Sequence, residues 1–178
     1  VFDGSPVSAA LVRELIEAAI WAPNHRYTEP WRFTVLLGEP RLALAEAVCE
    51  ALDAMRKPDA AKTAKIETKQ KKFRRRAKEA GAILVVTYVT SPDAPGVDRE
   101  DYAATACAVQ NAQLAATARG LVCQWSTSGV FERNNVRAHL GLPDEEALVG
   151  VLFIGRPVMP LTGRRHKSVD QVTRWVGA

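Results

Sequence analysis

No apolar run in the sequence approaches the roughly 18 to 20 residues needed to span a bilayer. The N-terminal residues also lack the basic, then apolar, then small-residue order of a signal peptide. Both absences point to the cytoplasm and away from a membrane partner. Cysteine is scarce: Cys49, Cys107 and Cys123 are odd in number and form no CxxC pair. Each lies in an apolar stretch, so small buried thiols in a reducing compartment are expected. The histidines, His25, His139 and His166, are too scattered to suggest a metal site. His139 in "VRAHLGLP" is accounted for as an imidazole near a helix C-terminus. There is no GxGxxG after a strand, no P-loop and no GxSxG, which argues against nucleotide binding through a glycine-rich turn.

What is present is ordinary for a soluble globular protein: 178 residues, 47% apolar and 25% charged. That length can bury a core of its own and predicts one domain over 1–178. The net charge of +4 is uneven. Residues 56–78 hold eleven Lys or Arg against Asp59 and Glu67, making this segment +9 and the rest of the chain −5.

The periodicity predicts a helix from Ser8 to about Ala22, with Ser8 as N-cap, Val7 and Val12 as staple, and Pro23 as the stop. "WRFTVLLG", 31–38, reads as a mostly buried strand. A helix from about Pro40 to Ala54, a break at Pro58 and a helix from about Ala61 to Ala80 follow. In that last helix Ile66, Phe73, Ala77 and Ala80 make one narrow stripe among Lys, Arg, Gln and Thr, which puts it on the surface. "AILVVTYV", 82–89, reads as a central strand. The helix from about Asp98 to Arg119, with Asp98 near its cap, is alanine-rich and apolar nearly all round, so burial on several sides is expected. A strand at "LVCQW", a short helix at about Glu132 to Leu140 and a strand at 147–155 complete the order. The tail after Gly155 has no long apolar period and is expected to wrap over something. The alternation suggests a small sheet covered by helices.

Three stretches stand out. In "WAPNHRYTEPW", 21–31, Pro23 and Pro30 fix both ends of a loop. A pre-ordered loop can present Asn24, His25 and Arg26 with little further entropy lost on binding; a rigid turn anchored by Trp31 is the alternative. "QWSTSGVFE", 124–132, offers Ser126, Thr127, Ser128 and Gly129 at a strand end, where ligands often sit. "GRRHKS", 163–168, could clamp a phosphate with Arg164, Arg165 and Lys167; solvated surface charge explains it as well.

Together and in this order, these residues resemble the nitroreductase family of FMN-dependent oxidoreductases. The resemblance is carried by "AAIWAPNHRYTEPWRFTVL", like the family's A-P-S/D-x-x-x-x-Q/E-P-W-x-F signature, by "AATARGL", by "WSTSG", and by "LVGVLFIGRP" with its basic tail. The branch with His after Pro-Asn or Pro-Asp is the most similar. Family members usually carry an Arg-Arg-Ser-x-Arg stretch just before a segment like "VFDGSPVS", which helps hold the FMN phosphate and ribityl chain; this sequence starts at Val1.

The resemblance implies an α+β sandwich, a small mostly antiparallel sheet covered by helices, in a homodimer with FMN in the interface and a C-terminal tail crossing to the partner. The helix 98–119 would be the dimer core. Asn24, His25 and Arg26 would approach the flavin or its phosphate from the opposite subunit. Ser126, Thr127 and Ser128 would lie along the isoalloxazine edge, and Arg165 and Lys167 would hold the phosphate. Trp21 and Trp125 would help to wall the open flavin face. The implied activity is ping-pong transfer from NADPH or NADH through FMN to a nitroaromatic, quinone or similar small acceptor, with no obligatory side-chain acid or base. Two alternatives stand beside it. One is a flavoprotein of the same fold with another reaction, such as dehalogenation or flavin destruction. The other is a nucleic-acid-binding protein using 56–78, against which Phe73 is the only aromatic there.

Overall fold

The computed structural model describes residues 2–56 and 59–177. The expected break at Pro58 lies outside the described residues.

Helix α1, Ala9–Ala19, starts where Ser8 Oγ accepts from the Leu11 N–H at 3.2 Å. The chain then turns through the Pro23–Pro30 loop into strand β1, Trp31–Leu36. Helices α2, Glu39–Asp53, and α3, Ala60–Glu79, follow, the second capped by Asp59 accepting from the Ala61 and Lys62 N–H groups. Strand β2, Ala82–Val89, leads to helix α4, Pro95–Ala118; then come strand β3, Val122–Ser126, helix α5, Asn134–Leu140, and strand β4, Glu146–Gly155.

The four strands run in the order β1-β2-β4-β3, every pair antiparallel. Because side chains alternate along a strand, β2 serves two cores. Ala82, Leu84, Val86 and Tyr88 pack with Val12, Leu15, Ala108 and Val109 of α1 and α4. Ile83 and Val85 pack with Leu44, Val48, Phe73, Phe131 and Val136 on the α2, α3 and α5 side. A strand covered on both faces has no solvated side to show, which is why 82–89 reads as an apolar run interrupted only by Thr87, whose hydroxyl donates to Glu146.

Several expectations shift. Helix α4 begins at Pro95, whose missing N–H costs nothing in a first turn. Asp98 is therefore inside the helix rather than at its cap, and its carboxylate accepts from the Ser91 N–H and the Tyr88 hydroxyl. Nor is α4 buried all round in the single chain: Ala103, Cys107, Gln110 and Leu114, at helical spacing, are exposed. Cysteine burial divides as well, with Cys49 buried, Cys123 half-buried and Cys107 exposed, all three free thiols. Beyond the bridge between Phe2 and Pro157, residues 158–177 lie exposed, Val172, Trp175 and Val176 among them.

Candidate active site

The connection between α1 and β1 is held in an uncommon backbone state. Arg26, Tyr27 and Glu29 have φ of 55°, 54° and 43°, left-handed geometry that costs a non-glycine residue about 1–3 kcal/mol. Polar contacts hold it there. Asn24 Oδ1 accepts from the Glu29 N–H at 3.2 Å, and the Arg32 guanidinium donates to the Glu29 carbonyl at 3.1 Å. The first turns of α4 grip the loop twice: Thr28 Oγ1 donates to the buried Asp101 carboxylate at 2.6 Å, and His25 Nδ1 pairs with Glu100. His25 Nε2 is thereby turned away from Glu100. Pro23, Asn24 and His25 line a shallow hollow with Glu100, Ala103, Ala104 and Cys107. Trp21 next to it is 86% exposed.

The end of β3 opens on a different space. A cavity of about 530 Å³ is lined by Ser126, Ser128 and Gly129, by the α2 side chains Val48 and Leu52, and by Phe73 and Arg76 of α3. Val48, Leu52, Phe73 and Val130 are buried and form an apolar floor. Met55, Lys69, Lys72 and Arg133 are exposed and form the rim. Phe73 is fixed by Phe131 and Phe153, with ring centroids at 5.6 and 5.5 Å. Arg76 lies over the Phe153 ring, its guanidinium carbon 5.1 Å from the centroid. Burial, and then the neighbouring Arg75, lowers Arg76 below the usual guanidinium range. Among the described residues no carboxylate lines the cavity, and four cations, Lys69, Lys72, Arg76 and Arg133, do.

The structure thus divides the residues singled out by sequence. Ser126 and Ser128 share the cavity, and Thr127 is exposed between them without lining it. Trp125 differs from expectation: alternation along β3 sends its indole to the opposite face of the sheet from Ser126, where it packs on the α1–α4 core and Nε1 donates to the Val149 carbonyl at 3.2 Å. Within one chain it does not wall the same space as Ser126. Asn24 and His25 belong to the other hollow, Arg26 is exposed beside them, and Arg165 and Lys167 are exposed in the tail. The cavity residues missed by sequence reading are Lys69, Lys72, Phe73 and Arg76. Their spacing carried a signal, since i, i+3, i+4 and i+7 fall on one helix face. A basic helix with a thin apolar stripe reads first as a surface helix, and only the sheet end brought against it makes that face a wall.

Three comparisons bear on this arrangement. The sequence pattern of the Nitroreductase family matches residues 1–156. A Bacillus subtilis protein, YfhC, provisionally named an NAD(P)H nitroreductase, is 30% identical over 156 residues, covering 88% of this chain and 77% of its own. The crystal structure of a nitroreductase-like family protein from Bacillus cereus is 30% identical, with a TM-score of 0.81 over 100% of this chain and 90% of that one. The FMN- and NADPH-dependent nitroreductase NfnB of Sphigopyxis sp. strain HMH shares the fold, with a TM-score of 0.78 at 22% identity over 99% of this chain and 93% of its own. The signature loop, the strand-end hydroxyls and the helix-covered antiparallel sheet thus have one common explanation: the chain belongs to the nitroreductase family.

Proposed function

We propose that the protein is an FMN-dependent oxidoreductase that uses NADPH or NADH to reduce nitroaromatic, quinone or similar small acceptors by a ping-pong mechanism. The observation that carries this reading is the cavity at the end of β3. Its volume falls within the range of cofactor sites, which are mostly apolar with a few placed polar groups. An apolar floor of Val48, Leu52, Phe73 and Val130 suits a flat heteroaromatic ring. The Ser126 and Ser128 hydroxyls and the unhindered backbone at Gly129 suit its polar edge. Arg76, partly buried without a carboxylate partner among the described residues, suits a group that gains negative charge on reduction.

When bound, FMN would supply the two-electron redox chemistry that links the nicotinamide to the acceptor. The chain's own part is to hold, orient and shield. Phe73 keeps the floor dry, Arg76 places positive charge against the reduced form, and the serines fix the ring edge. Asn24, His25 and Arg26 serve a site completed by a second chain, with Thr127, Arg165 and Lys167 also on the cofactor and Trp21 on the open side. In support of a homodimer, the loop hollow and the β3 cavity share no lining residue, which suits a site that takes one group from each of two copies. The exposed face of α4 and the apolar residues of the tail are surfaces of the kind a partner covers. The same reading treats 1–178 as a single FMN-binding domain acting in the cytoplasm.

The test is the visible spectrum of the purified protein before and after FMN, followed by anaerobic NADPH or NADH. Bound-flavin bands that bleach on adding nicotinamide are expected. A colourless protein that takes up no FMN would refute the proposal. Bound flavin that nicotinamide leaves oxidised would favour another reaction on the same fold.

A further inference from the structure

The rim of the β3 cavity has a feature that flavin binding leaves unused. Lys69, Lys72 and Arg76 stand at i, i+3 and i+7 on α3, and Arg133 faces them across the opening. On the same helix Arg74 pairs with Glu46 at 2.7 Å, Arg75 with Glu79 at 3.9 Å and Lys62 with Asp59 at 3.3 Å, and Lys65, Lys71 and Lys78 have no ion pair among the described residues but lie outside the cavity lining. Lys69, Lys72 and Arg133 have no ion-pair partner among the described residues. Like charges stacked on one helix face repel one another, and a bound anion relieves that repulsion.

In the proposed site the FMN phosphate goes to Arg165 and Lys167, and the deeper Arg76 faces the cofactor ring. Lys69 and Lys72 are left at the exposed edge, on long flexible stems that reach over the apolar floor. They meet whatever enters after the cofactor.

We propose that Lys69 and Lys72 make the enzyme selective for aromatic acceptors carrying an anionic substituent, the flat ring entering over the floor and a carboxylate or sulfonate remaining at the lysine rim. This rests on the flavoreductase reading and names the substrate class of that site. For a nitroarene the net step takes a hydride from NADH and a proton from solvent, giving the nitroso compound, NAD+ and water. The anionic substituent takes no part in the chemistry; it holds the ring.

The test compares kcat/KM for 4-nitrobenzoate with that for the neutral, similarly sized 4-nitrobenzamide, at fixed saturating NADH and low ionic strength. Exposed ion pairs of this kind change binding by about 2- to 5-fold each. The benzoate-to-benzamide ratio is therefore expected to fall roughly 5- to 20-fold in the Lys69→Gln, Lys72→Gln double variant, and to fall in the unsubstituted enzyme as salt shortens the screening length. Lys65→Gln with Lys71→Gln removes the same charge from exposed positions of α3 outside the cavity lining and is expected to leave the ratio unchanged. A ratio insensitive to Lys69 and Lys72, or one that falls equally in the Lys65, Lys71 control, overturns the proposal. So does a change confined to the NADPH-to-NADH ratio, since the rim would then serve the donor. Flavin that NADH fails to bleach overturns the flavoreductase reading itself, and is seen before any acceptor is added.

Discussion

Gly150 of β4 is the position where adding one methyl group tells most about how the site is supported. A Cβ built there would lie 2.0 Å from Trp125 Nε1, 2.5 Å from Trp125 Cδ1 and 3.1 Å from the Ser126 carbonyl oxygen. The first two are impossible contacts, so in Gly150→Ala the indole must leave its place. Overpacking of this kind costs about 1–3 kcal/mol. Loss of the Trp125 Nε1 bond to the Val149 carbonyl adds about 1 kcal/mol, for a total of about 2–4 kcal/mol. The assay is urea denaturation of both proteins, repeated with Trp125→Leu as background. Removing the indole removes the obstacle, so Gly150→Ala should then cost under about 1 kcal/mol, a coupling of about 1–3 kcal/mol. Because Trp125 and Ser126 are consecutive on β3, the displaced indole should also weaken FMN uptake in Gly150→Ala. A cost below about 0.5 kcal/mol, or the same cost in both backgrounds, would refute the packing account of this glycine.

Three other outcomes are expected. His25→Ala with Arg165→Ala should elute with less FMN and bind it more weakly; unchanged flavin content by absorbance would remove both from the cofactor site. Burial pushes the Cys123 thiol up to about 12, leaving about 1 thiolate in 10,000 at pH 8. Iodoacetamide should therefore fail to label Cys123 in the folded protein and label it fully in urea, as mass spectrometry of the digested protein would read. Burial, and then the hydrogen bond to Asp98, raises Tyr88 from 10.0 to about 12. A raised folded-state value means stability intact below pH 10 and lost as pH climbs from about 10 to 12. Tyr88→Phe should flatten that alkaline decline while costing about 0.5–1.5 kcal/mol at neutral pH, measured by denaturation across the pH range.

Local signals were enough for most elements. Ser8 and Val7 mark the start of α1, and the nearly continuous apolar run 82–89 marks a strand with two covered faces. These depend on neighbours a few residues away, where capping and side-chain period act. The start of α4 was misplaced by three residues because Asp98 looks like a cap; its carboxylate instead serves Ser91 and Tyr88, partners that only folding brings near.

The functional residues divide in the same way. Composition and order in "WAPNHRYTEPW" and "WSTSG" pointed to ligand-facing segments, since paired prolines and clustered hydroxyls act through local rigidity and hydrogen-bonding capacity. The left-handed backbone at Arg26, Tyr27 and Glu29 was not legible, because Asp101 and Glu100, more than seventy residues away, hold the loop there. Alternation along β3 separates Trp125 from Ser126, but which face each one took was decided by the β3–β4 register and by the space left at Gly150. The cavity itself was decided by tertiary structure. Sequence alone determined that 56–78 is a strongly basic segment with one aromatic residue. Packing of Phe73 against Phe131 and Phe153 set its rotation, and that rotation turned Lys69, Lys72 and Arg76 from solvated surface charge into the wall of a site.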